Sequence, residues 1–166
     1  MAANKNFNLK RAADFLDEIM VDAVNRMGSH LNKSIQDGLE SSRDINGDAF
    51  EPLSPVTIAS RSQSNPKPLL DKGTNRQATN ALRSIKKEPA TSNNPVFVLE
   101  ATSDYGGLHN TGYTNSYKKK QWFKGAVIPK REWFGITKDI KPGGEQYKKA
   151  ILEATLRIGA KFKAGG

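Results

Sequence analysis

The chain has 166 residues, 36% of them hydrophobic, with a mean hydropathy of −0.64 and no cysteine: enough for one domain with its own core, and without the thiols for disulfides or cysteine-ligated metals. No apolar run nears the roughly 20 residues that span a bilayer, and the polar first ten residues lack a signal-peptide core, so the expectation is a soluble protein made in a cytoplasm. Lys and Arg number 26 against 17 Asp and Glu, a formal net charge of +9, which favours polyanions or acidic protein surfaces as partners.

Leu9, Ala12, Leu16, Met20, Ala23, Met27, Leu31, Ile35 and Leu39 recur at steps of three and four, which predicts one amphipathic helix of about 30 residues. Ile19 and Val24 widen its stripe, Asn8 is placed to cap it, and Gly28-Ser29 marks a point of bending or interruption. A polar stretch at 40–48 turns at Asn46-Gly47. Ser54-Pro55 reads as a cap and first-turn proline for a short helix through Arg61, and the Ser-, Asn- and Pro-rich 62–68 reads as a loop.

The middle of the chain predicts strands at 82–88, 95–101, 107–111 and 125–128, with Pro89 and Asn93-Asn94 in the hairpin turn. A polar, aromatic and basic excursion occupies 112–124. A last helix at 144–163 has Tyr147, Ile151, Leu152, Thr155, Ile158 and Phe162 on one face. The order of elements predicts an α+β fold: a long N-terminal helix, an antiparallel sheet of about four strands with a long inter-strand loop, and a C-terminal helix packed on the sheet. One domain covers 1–166, with an extension at 1–8, an extended loop and short-helix region at 40–81, and a tail at 164–166.

Charge is unevenly placed. Residues 9–40 carry four basic and six acidic side chains, whereas 117–131 carry six basic and no acidic ones. That distribution suits head-to-tail contact between copies as well as contact with DNA. Lys118-Lys119-Lys120 stand with Tyr117, Trp122 and Phe123, a mixture that stacks on bases and grips phosphates; the reading adopted is a loop whose aromatics rest on a neighbouring protein.

Residues suited to catalysis or metal binding are few. His30 has no second ligand at a matching spacing. His109 sits in Tyr105-Gly-Gly-Leu-His-Asn-Thr-Gly112 without a recognisable nucleophile or partner motif, so it reads as a packing or hydrogen-bonding residue rather than a base. Asp44, Asn46 and Asp48 alternate as in a calcium loop, but glycine falls at the fourth position and Pro55 stands where the bidentate Glu belongs, so they read as a turn. Gly106, Gly107 and Gly112 fit neither nucleotide-binding glycine pattern and read as tight bends. The expectation is a protein without catalytic residues, metal or cofactor.

Four blocks in order resemble the phage virion morphogenesis family, which includes the Mu-like and P2-like tail-completion proteins. They are Gly47-Asp-Ala-Phe50-Glu-Pro52-Leu53-Ser54-Pro-Val-Thr57, followed by the basic Arg61; Pro68-Leu69-Leu70-Asp71-Lys-Gly73, leading to Leu82-Arg-Ser84-Ile85; Tyr105-Gly-Gly-Leu108-His109-Asn-Thr-Gly112; and Ile128-Pro129-Lys-Arg131-Glu-Trp133-Phe134-Gly135-Ile136, with Asp139 after it. Gly73 stands further from Leu82, and Lys130 and Glu132 replace a small residue and a proline, relative to the family pattern. The resemblance implies a virion protein of the neck, a tail-completion or tail-terminator subunit. It forms a homo-oligomeric ring, a hexamer matching tail symmetry, between the tail tube, any sheath, and the connector. The alternative is a head-side connector subunit or a non-specific DNA-binding module. Expected subunit or partner contacts are Phe50, Pro52, Leu53, Leu69, Leu70, Tyr117, Trp122, Phe123, Trp133 and Phe134. The expected basic patch for protein or DNA is Lys118, Lys119, Lys120, Lys124, Lys130 and Arg131.

Overall fold

The computed structural model of the chain describes residues 9–60, 66–70, 81–102, 104–114 and 127–164. Helix α1 runs without interruption over Leu9–Ser41. Helix α2 follows at Pro55–Ser60, and a 3-10 turn at Ala81–Ser84 leads into strand β1 at Ile85–Glu88. Strand β2 is Val98–Ala101, helix α3 is Asp104–Thr111, strands β3 and β4 are Tyr113–Thr114 and Val127–Ile128, and helix α4 is Glu145–Ala164. The strands form two separate two-stranded sheets, β1 with β2 and β3 with β4, the second antiparallel with Tyr113 opposite Ile128. Among the described residues, then, the α+β class holds, and the single four-stranded sheet expected from the sequence is replaced by two ribbons.

The local signals worked where the cause is local. Ser54 caps α2: its carbonyl accepts from Ile58 N at 3.0 Å, its Oγ accepts from Thr57 N at 3.2 Å, and Pro55 supplies a first residue that needs no donor. The turn after α1 is closed by Asp44, whose Oδ1 accepts from the amides of Asn46 and Asp48, both at 2.8 Å. Gly47 there has φ of 92°, a conformation that favours glycine. The Asp44 carboxylate thus serves the backbone in an Asx turn.

Contacts divide the chain into two compact units, both threaded by α1. The first holds α1 up to Ser29, the segment 88–98 and the chain from Asp139 onward. Here Asn25 grips Ala90 from both sides: its Nδ2 donates to the Ala90 carbonyl at 3.0 Å and its Oδ1 accepts from Ala90 N at 2.8 Å. One turn on, Gly28 lies under the ring of Phe97, so close that a Cβ would meet the ring at 2.3 Å. The absent side chain therefore makes room for an aromatic ring, and the helix continues through the expected break. Thr91 and Asn94 close the intervening turn with reciprocal backbone bonds of 2.8 and 3.1 Å.

Charged side chains fasten α4 to α1 in this unit. Arg26 reaches Asp22 at 2.9 Å and Glu153 at 2.7 Å, Arg157 also bonds Asp22, and Lys149 stands 4.0 Å from Glu153. The hydrogen bond to Asp22 is the largest influence holding the Arg26 guanidinium above its ordinary value. These bonds tie α4 to a helix, where the sequence had placed it on a sheet. Its buried stripe is Ala150, Ala154 and Ile158, while Ile151, Leu152 and Leu156 are exposed. Ile158 of the expected face is buried with the two alanines, whose small side chains allow close approach of the backbone, while Ile151, Leu152 and Thr155 of that face are exposed.

The second unit holds His30–Lys87 and Leu99–Lys138. Its core is Ile35 and Leu39 from the last turns of α1 with Phe50, Leu69, Leu70, Ala81 and Trp133. Leu31, Leu82, Ile85, Leu99, Ala101 and Phe134 pack around it. Burying a side chain as completely as Leu39 contributes about 2 kcal/mol. Leu69 takes φ of 63°, costly for a side chain with a Cβ. It is held there by full burial and by the bond from Ala81 N to its carbonyl, 2.9 Å.

Candidate functional site

Three of the four sequence blocks meet at Arg131. The residue follows Pro129, which ends the β4 segment because proline cannot donate to a ladder. Its side chain is 3% exposed, as is that of His109. The guanidinium donates from Nε and Nη2 to the carbonyl of Glu51 at 3.1 and 2.8 Å, and from Nη2 to the carbonyl of Pro52 at 3.3 Å. Its Nη1 stands 2.9 Å from Nδ1 of His109. The backbone repeats the link, with Arg131 N donating to the His109 carbonyl at 2.6 Å. A buried charge is tolerated only when its donors are met, and here the planar fork ties together the blocks around Phe50, His109 and Trp133.

Neighbouring bonds extend the knot. Asn110 grips Phe134 reciprocally: Nδ2 donates to the Phe134 carbonyl and Oδ1 accepts from Phe134 N, both at 3.0 Å. Ile45 N donates to the Glu132 carbonyl at 2.9 Å, and Trp133 N donates to the Arg131 carbonyl at 2.8 Å in a tight turn. The Trp133 ring is carried into the core, with the Phe134 ring 5.3 Å away at a tilt of 60°, a favourable aromatic arrangement. Through that core the second block joins too, since Leu69 and Leu70 lie in the same cluster as Trp133. Gly112, with φ of 74°, brings the end of α3 against Lys130, whose backbone N would lie 3.2 Å from a Cβ at 112.

The residues expected at partner contacts therefore divide. Phe50, Leu69, Leu70 and Trp133 are buried and are core residues of this chain, a correction to their reading as an interface: one copy already covers them. Arg131 likewise leaves the basic patch, because its charge is spent on carbonyls inside the protein. Phe134 and Leu53 are half-buried and Pro52 is exposed. Lys130 is exposed and pairs with Glu132 at 3.0 Å. Tyr117, Lys118, Lys119, Lys120, Trp122, Phe123 and Lys124 lie outside the described residues. The strand expected at 107–111 is helical, part of α3. His109 has the packing and hydrogen-bonding role expected of it. His30 is half-buried with Nε2 3.4 Å from Ser34 Oγ.

Sequence reasoning missed Asn25 and Asn110. An asparagine that both donates to and accepts from one distant residue leaves no local pattern. The only hint for Asn110 was its place inside the third block.

The arrangement provides cohesion: donors and acceptors of separate loops satisfy one another around a charge. No described helix is long and apolar enough to cross a membrane. No curated protein and no solved structure matches the chain. The model of the phage virion morphogenesis family matches residues 9–153, a span that takes in all four blocks and the knot they build. The chain belongs to the phage virion morphogenesis family, whose role is in the structure and assembly of the phage particle.

Proposed function

We propose that the protein is a ring subunit at the neck of the virion, of tail-completion or tail-terminator type, which caps the tail tube and joins tail to head by binding partners. The observation that carries this reading is the convergence of the family blocks on the Arg131 knot. Their polar residues are used to hold loops together, the economy of a building block rather than of a substrate cleft. The partners are further copies of the chain, tube and connector proteins, and the sheath where the tail contracts. The acidic bias of α1 against the basic remainder suits a heterologous contact, which closes into a ring when the rotation allows.

Mass measurement of the purified protein and imaging of particles test the proposal. The expected result is a closed ring of about six copies, the cyclic outcome of a heterologous contact, and a band at the neck. Loss of the gene should leave filled heads and unjoined tails. A chain that stays monomeric at high concentration and is absent from virions overturns the reading. The segment with Lys118, Lys119 and Lys120 separates protein contact from contact with the DNA backbone. Replacing all three by Ser should reduce tail joining and leave genome retention unchanged. Normal joining with leaked DNA would favour the channel-lining alternative.

A further inference from the structure

Asn46 and Gly47 form the one Asn-Gly pair of the sequence, and both residues are exposed. The side-chain amide of an asparagine can be attacked by the backbone nitrogen of the next residue, which closes a five-membered ring. Glycine hinders that approach least, because it has no Cβ. The turn after α1 presents this pair and also restrains it. Gly47 N, the attacking atom, donates to the Asp44 carbonyl at 3.0 Å. Asn46 Nδ2 stands 3.5 Å from Asp44 Oδ2, and Asp44 Oδ1 holds the amides on either side of Gly47, those of Asn46 and Asp48. One residue, Asp44, therefore keeps both reacting groups engaged. Its side-chain bonds are exposed and join residues no more than four positions apart. Such a turn opens locally while the buried cluster of Leu39 and Phe50 stays in place. Asn25 and Asn110 differ: they lie in α1 and α3, precede Arg26 and Thr111, and spend their amides on Ala90 and Phe134.

We propose that Asn46 is a site of self-modification, at which the chain converts a neutral amide into a carboxylate whenever the Asp44 turn opens. Gly47 N bonds to Asn46 Cγ as the bond from Cγ to the amide nitrogen breaks. The proton of Gly47 N leaves with that nitrogen as ammonia, and a cyclic imide remains. Water, the sole co-reactant, then adds to one of the two imide carbonyls. Cleavage of the new bond leaves aspartate. Cleavage of the original peptide bond leaves isoaspartate, in which the main chain runs through Cβ and Cγ. The sum is amide plus water to acid plus ammonia, with no change of oxidation state. Either product puts an acceptor where the Asn46 donor meets Asp44, and sets two carboxylates against each other. Isoaspartate also lengthens the main chain inside the turn. The effect reaches the Arg131 knot from two sides. Ile45 N bonds the Glu132 carbonyl, and the turn leads through Phe50 to the Glu51 and Pro52 carbonyls that Arg131 holds.

Incubation of the folded full chain in warm, mildly alkaline water enriched in heavy oxygen, followed by tryptic mapping in ordinary water, tests this. Cleavage after Arg43 and Arg61 releases residues 44–61, in which Asn46 is the only side-chain amide. That peptide should lose ammonia, gain one heavy oxygen and separate into two isomers. It should do so faster than any other asparagine peptide, and more slowly in the folded chain than in the chain unfolded in urea. Asp44→Ala removes the charged acceptor of two amides and should speed the conversion roughly tenfold. Asn46→Gln should stop it, because attack would then have to close a six-membered ring. A peptide 44–61 that stays unlabelled in the folded chain, yet converts in urea, would overturn the proposal by showing that the turn does not open to the reaction. Faster labelling at another asparagine would overturn it as well. An Asp44→Ala chain that keeps its circular dichroism and reacts no faster would overturn the guarding role given to Asp44.

Discussion

Arg131 Nη1 donates to His109 Nδ1 across 2.9 Å, and this one bond fixes the state of the histidine. A guanidinium has donors only, so Nδ1 must offer its lone pair and the ring carries its proton on Nε2. The histidine that looks most like a general base in the sequence is thus engaged as an acceptor, held in one tautomer by a buried cation.

Arg131 itself should be the costliest polar residue to change. Arg131→Ala strands the carbonyls of Glu51 and Pro52 and is expected to destabilise the protein by about 3 kcal/mol, since bonds to a charged donor are among the stronger ones. Arg131→Lys keeps the charge but not the fork, and should still cost about 1–2 kcal/mol. Urea unfolding of the three proteins checks the order; a lysine variant as stable as the original would show that charge, not geometry, holds the knot.

His109 predicts a graded series. Asn places an oxygen near the position of Nδ1, so His109→Asn should cost about 1 kcal/mol, while His109→Leu removes the acceptor and should cost about 2 kcal/mol or more. His109→Gln should leave particle assembly largely intact. No hydrolytic rate should follow any of these substitutions; an activity lost specifically with the ring would contradict the structural role.

Glycines 47 and 112 separate two reasons for the same residue. Both have positive φ, which costs a side chain about 1 kcal/mol. A Cβ at 47 meets nothing within 4 Å, whereas one at 112 meets the backbone of Lys130 at 3.2 Å. Gly47→Ala should therefore cost about 1 kcal/mol and Gly112→Ala clearly more, because backbone yields less readily than a side-chain tip. Equal losses in thermal melts would mean that the β4 segment moves aside freely.

Gly28→Ala sets helix propensity against packing. In an exposed helix the change gains up to about 1 kcal/mol, but here the methyl would enter the Phe97 ring. Overpacking of this kind costs about 1–3 kcal/mol, so the net expectation is destabilisation. Adding Phe97→Leu should recover part of the loss, and a double-mutant cycle between the two positions should show coupling. Additive effects would place the ring elsewhere in solution.

Much of the fold was legible because its causes lie within one turn of chain. The apolar period of α1, the Ser54-Pro55 cap and the Asp44 turn are short-range patterns and they formed as read. Helix α3 was misread as a strand for the opposite reason. Gly106 and Gly107 weaken its local preference, and the bonds that hold His109 and Asn110 come from residues 22 and 24 positions away. Leu69 and Leu70 were read as partner contacts because Leu39 and Trp133, which cluster with them, are distant in sequence. The blocks marked which residues matter, yet a recurring residue reads the same whether it serves a partner or its own core. Burial made that distinction for Phe50, Leu69, Leu70, Trp133 and Arg131.

The knot has a consequence for how such a protein can vary. Arg131 binds Glu51 and Pro52 through their carbonyls, and every residue carries a carbonyl. The side chain at 51 points to an exposed position, so its identity is free of the duty its backbone performs. A lineage of phages could rewrite the outward letters around this loop to suit a new tail or a new connector while the arginine went on reading the unchanging main chain beneath them.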